Sequence, residues 1–129
     1  MSVQIMTKPR PQPRHIHSKH TSKGRYPEEF MSYYYLLRSV FSSISDIPEY
    51  KLFRIKYPVT ITLVYFYQQP RKSCVADIDN TGKPILDALQ ATNIVDNDNM
   101  QYISELHQKS LFSQNQDSFY LSLFHNHHA

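Results

Sequence analysis

The segment Val59 to Tyr67, VTITLVYFY, restricts the possible architectures more than any other part of the chain. All nine residues are β-branched, leucine or aromatic, a composition that suits a packed, pleated surface. Both alternating faces are apolar or nearly so, which predicts a central strand covered on both sides. Such a strand needs neighbours. Tyr102 to Leu111 and Ser118 to Phe124, separated by the polar turn SQNQD, read as two more strands, and Val3 to Met6 as a short one ahead of Pro9.

Two helices complete the set. Pro27, Glu28 and Glu29 read as a helix start, because proline suits the first turn and acids there complement the macrodipole. The following run places Phe30, Tyr33, Tyr34, Leu37, Phe41 and Ile44 at near-helical spacing, and Asp46 to Pro48 ends it. Its aromatic stripe reads as core rather than as a platform for stacking bases. A second helix is expected from about Asn80 to Ala91, with Ile85, Leu86 and Leu89 facing inward. Pro84 is tolerable only near a first turn, which predicts a start close to Asn80 or Thr81. Helix, strand, helix and two strands make an α+β chain: one small single domain over residues 1–129, with a mixed β-sheet packed against two helices. Residues 1–27 hold four of the eight prolines and one of the two glycines, so they should be mostly extended or looped, and residues 125–129 should form a flexible tail.

With 129 residues and 40% hydrophobic content the core is modest, and a homodimer interface would be a natural stabiliser. No stretch approaches the roughly 20 apolar residues of a membrane helix, and the opening MSVQIMTKPRPQPR lacks the apolar run of a signal peptide. Cys74 is the single cysteine, so no intramolecular disulfide can form. These features predict a soluble, cytoplasmic protein with no membrane partner.

The net charge of +3 says less than its distribution. Lys8, Arg10, Arg14, Lys19, Lys23 and Arg25 follow one another with no acid among them, whereas Asp77, Asp79, Asp87, Asp96 and Asp98 face a single base, Lys83. A basic stripe beside an acidic nest can bind a polyanion and hold cations against it. A solvated N-terminal arm would also account for the basic run.

The informative segment is Asp77-Ile-Asp79-Asn80-Thr-Gly-Lys83-Pro-Ile-Leu-Asp87-Ala-Leu, followed by Asp96-Asn-Asp98. Two carboxylates two residues apart on an extended stretch project from one face. Oxygen-rich clusters of this kind suit Mg²⁺. Without a cation the carboxylates would repel one another. With one, they could activate a water at a phosphodiester, while Lys83 supplies a positive donor. A calcium loop is excluded, because the twelfth position from Asp77 is Ala88 where a glutamate should stand. Asp79 or Asn80 could serve only as a helix cap, and Asp96 to Asp98 only as a polar turn. His15, His17 and His20 read as part of the basic arm, His125, His127 and His128 as tail, and Cys74 as an ordinary buried thiol.

The run D-I-D-N-x-x-K-P-I-L-D-A-L resembles the signature of the RusA Holliday junction resolvases, D-x-D-N-x-x-K-x-x-x-D-A-L. KPRPQPR…TSKGRYP resembles that family's opening, and Tyr102 to Lys109 its following strand, so the resemblance spans most of residues 8–110. It implies a RusA-like fold and a homodimeric endonuclease that resolves four-way DNA junctions with Mg²⁺, for which Mn²⁺ can substitute. Asp77 and Asp79 match the first two metal-binding aspartates and Lys83 the catalytic lysine. Asp98 matches the third aspartate best, with Asp96 as the alternative, because Asn97 separates acids that the family has adjacent. Asn80 would orient the site and Asp87 support it. Arg10, Arg14, Lys19, Lys23, Arg25, Arg71 and Lys72 are the expected DNA phosphate contacts. A nucleic-acid-binding protein without catalysis, or a nuclease for other branched DNA, are the competing expectations.

Overall fold

The computed structural model describes residues 1–13, 16–17, 24–51, 58–68, 78–95 and 102–126. Its elements in chain order are β1 (Ser2–Ile5), β2 (Ile16–His17), β3 (Gly24–Arg25), α1 (Glu28–Ser45), α2 (Pro48–Lys51), β4 (Val59–Tyr67), α3 (Ile78–Ala91), β5 (Ile103–Phe112) and β6 (Ser118–His125). The four longer strands form one mixed sheet in the order β1-β6-β4-β5. β4 pairs in parallel with β5 and antiparallel with β6, while β1 closes the far edge antiparallel to β6. The architecture is α+β, with α1 and α3 as its two long helices.

β4 is central, as its composition requires, but its two faces differ. Val59, Ile61, Leu63, Tyr65 and Tyr67 are buried with Phe30, Tyr33, Leu37 and Phe41 of α1 and Ile85, Ala88 and Leu89 of α3. On the other face Val64 is buried, whereas Thr60, Thr62 and Phe66 are only half-buried. The expectation of cover on both sides is therefore corrected: the core residues of both long helices gather on one face. Three of the residues on the second face are threonine or valine, which tolerate a half-exposed sheet surface because β-branching favours the pleat itself.

β5 and β6 are consecutive in the chain but do not pair; β4 lies between them. The polar segment 113–117 carries the chain across the end of β4. It is fastened there by Ser113 N–H donating to Tyr67 O (3.0 Å) and Gln68 N–H donating to Asp117 Oδ1 (2.8 Å). α1 begins after Pro27, which is its N-cap rather than a first-turn residue, with Glu28 and Glu29 in the first turn and Asp46 as C-cap. Its aromatic stripe is core: Phe30, Tyr33 and Phe41 are buried.

α3 departs from expectation in a way that matters for the site. It starts at Ile78, so Pro84 lies inside the helix instead of in its first turn. An interior proline leaves the carbonyl four residues back without its helix donor. That carbonyl belongs to Asn80, and the backbone N–H of Gln12 donates to it at 2.9 Å. The N-terminal segment thus completes a ladder that the helix cannot complete alone. At the other end Asn93 adopts φ 62°, a left-handed conformation that asparagine tolerates. Ile94 N–H and Val95 N–H turn back to Leu89 O at 3.0 and 3.3 Å, returning both side chains to the core.

Candidate functional site

β4, α3 and β5 form a strand–helix–strand unit with parallel strands, and α3 begins over the C-terminal halves of those strands. Open α/β units offer their ligand crevices at that side. Asp79 lies in the first turn of α3, where the helix dipole favours a negative charge. Lys83 follows one turn later, so the two side chains share a side of the helix, and both are exposed. Asp87 comes a further turn on. It is half-buried, on the wall of a cavity of about 180 Å³ between α1 and α3 that Gln12, Tyr26, Phe30, Met31 and Tyr34 also line.

Beneath Asp79 runs a chain of side-chain hydrogen bonds from the core. Tyr65 Oη donates to Gln108 Oε1 at 2.6 Å, and Gln108 Nε2 donates toward Asp79 Oδ1 at 3.5 Å. Burial pushes the Tyr65 phenol far above its ordinary 10.0, with the neighbouring Tyr33, Tyr67 and Asp79 adding to the shift. Tyr65 therefore keeps its proton, and its hydroxyl remains available as a donor. Gly82 packs directly on this chain. A Cβ there would collide with Gln108 Oε1 and lie 3.0 Å from Tyr65 Oη.

Of the expected metal ligands, Asp79 is described, and its exposed carboxylate is the kind of oxygen donor that Mg²⁺ takes. Asp77, Asp96 and Asp98 lie outside the described residues, as do Arg14, Lys19, Lys23, Arg71, Lys72 and Cys74. Among the described residues no group of three His, Cys, Asp or Glu side chains forms a metal site. Arg10 is partly exposed and meets Glu29 at 4.0 Å, a surface pair worth at most about 1 kcal/mol. Arg25 is fixed by its backbone in β3, where it pairs with Ile16. Asn80 is exposed, and the role seen for it is that of its backbone carbonyl.

Sequence reasoning did not single out Tyr65, Gln108 or Gly82. Gly82 carried a legible signal, because a glycine inside a helix costs about 1 kcal/mol relative to alanine and calls for a packing reason. Gln108 carried none, since strand alternation alone does not say which face meets a helix terminus.

No protein-family model matches the chain, and no curated protein matches it. No helix among the described residues is long and apolar enough to cross a membrane.

Proposed function

We propose that the protein is a Mg²⁺-dependent endonuclease that cuts four-way DNA junctions. The observation that carries this reading is the placement of Asp79 and Lys83 on one exposed side of the first turns of α3, at the ligand-binding side of a parallel β4–α3–β5 unit. They belong to the D-I-D-N-T-G-K segment, whose residues match the resolvase signature one by one.

In this reading Asp77, Asp79 and Asp98 hold the cation. When bound, Mg²⁺ supplies a polarised water and neutralises charge at the scissile phosphate. Lys83 donates to the phosphate oxygens or to the departing oxygen as charge builds there. Arg10, Arg14, Lys19, Lys23, Arg25, Arg71 and Lys72 hold the DNA backbone, so affinity falls as salt rises. Asn80 orients the site and Asp87 supports it structurally. Two copies, each with one site, would match the two-fold character of a junction and cut opposing strands. Exposed Leu106, Leu111 and Phe112 on β5 offer apolar surface for such a partner.

By the count from Asp77, Asp98 is the third ligand in this reading, with Asp96 as the alternative.

The test is incubation of the protein with a synthetic four-way junction and Mg²⁺, beside a matched linear duplex and Asp79→Asn. Paired nicks in the junction that disappear in the variant are expected. Salt-dependent junction binding with no cutting in Mg²⁺ or Mn²⁺ would leave a binding protein, and cutting of flaps in preference to junctions would redirect the substrate to other branched DNA.

A further inference from the structure

We propose that Gln108 is a positioning residue of this site, whose side-chain amide, fixed by Tyr65 and admitted by Gly82, holds the Asp79 carboxylate in one orientation. The inference rests on the reading of Asp79 as a metal-binding residue. A glutamine amide has an accepting end and a donating end, and which end points where depends on its neighbours. Here the amide lies between a tyrosine hydroxyl and a carboxylate. Tyr65 is buried in β4, and its hydroxyl donates to Gln108 Oε1 at 2.6 Å. The Asp79 carboxylate can only accept, so Nε2, 3.5 Å from Asp79 Oδ1, is the end that faces it and Oε1 is left for the tyrosine. The contact is long, as suits a group that aims a carboxylate and leaves its oxygens available to a cation.

Gly82 packs against the same amide. A Cβ at that position would force the Gln108 amide, the far end of a flexible side chain, to shift. Glycine is a poor choice inside a helix, and its presence is explained if the amide must occupy that space. Residues that orient a metal-binding side chain without touching the metal commonly alter metal affinity about 10- to 100-fold when removed. The competing role for Gln108 is only to satisfy the buried Tyr65 hydroxyl. The two roles separate experimentally, because a partner for a buried hydroxyl affects stability and a positioning residue affects the metal.

The experiment is Mn²⁺ titration by calorimetry on the full chain, with urea unfolding of the same samples. Gln108→Met keeps the side-chain volume but removes both polar ends, stranding the Tyr65 hydroxyl. Adding Tyr65→Phe removes that hydroxyl. The positioning role predicts that the double variant regains the stability lost in Gln108→Met while its Mn²⁺ affinity stays at least tenfold below that of the unaltered protein. Gly82→Ala, which displaces the amide without removing a core side chain, should lower Mn²⁺ affinity in the same way and serves if Gln108→Met does not fold. Asp79→Asn should abolish Mn²⁺ binding. Loss of binding in Asp79→Asn together with unchanged affinity in the double variant and in Gly82→Ala would overturn the role of Gln108 alone. Unchanged binding in Asp79→Asn would overturn the metal-site reading and, with it, the inference.

Discussion

The bond from Gln12 to Asn80 is the least expected link between the N-terminal segment and the site, and it can be tested quantitatively. Pro84 denies Asn80 its donor, and Gln12 N–H replaces it at 2.9 Å. Gln12→Pro removes that N–H. Gln12 precedes Pro13, so its backbone is already confined to the extended region, in which proline's fixed φ is acceptable. One hydrogen bond contributes about 0.5 to 1.5 kcal/mol net. Asn80 is exposed, so water can partly replace the lost donor, and the expected cost is about 1 kcal/mol. For a domain of this size that lowers the Tm by roughly 3 to 4 °C. Gln12→Ala is the control: it keeps the N–H and loses only the Nε2 bond to Tyr26 Oη at 2.6 Å. The decisive comparison adds Pro84→Ala, whose new N–H can close the α3 ladder from within. In that background Gln12→Pro should cost no more than Gln12→Ala does, a coupling of about 1 kcal/mol read from urea unfolding by circular dichroism. An equal cost in both backgrounds would refute the claim that Gln12 serves the carbonyl orphaned by Pro84.

Other expectations follow from the same geometry. Phe41→Ala removes a fully buried ring between α1 and the sheet and should cost about 3 to 5 kcal/mol in chemical denaturation. Lys83→Ala should lower the rate of junction cutting about 100-fold or more, with junction affinity in gel-shift titration little changed, because the exposed lysine acts on the developing charge. The Tyr65 and Tyr33 phenols are raised above their ordinary 10.0 by burial. Above about pH 10 the unfolded chain loses these protons while the folded chain keeps them, so stability should fall as pH rises past that value and be unaffected below it. Absorbance at 295 nm should show these two phenols ionising only as the fold opens, and Tyr65→Phe should lessen the slope.

The sequence by itself determined the longer elements, because their patterns are local, although not the start of α3. A nine-residue β-branched and aromatic run occurs at Val59–Tyr67 and is a strand over the same residues. Helical spacing from Phe30 to Phe41 is the buried stripe of α1. The acidic signature likewise stood out from residue types alone, but its pattern set Asp79 on an extended stretch, whereas the structure has Asp79 in the first turn of α3. What only the tertiary structure decided is how distant segments meet. Nothing local says that β6 inserts beside β4 rather than pairing with β5, since that choice depends on the whole sheet. Nor does local pattern accept Pro84 seven residues into a helix, because its compensation comes from Gln12, some seventy positions away in the chain. The Tyr65–Gln108–Asp79 chain is of the same kind: three elements each contribute one side chain, and Gly82 makes room for them. Hydrogen bonds between such residues are set by where backbones cross, and that is a property of the packed fold.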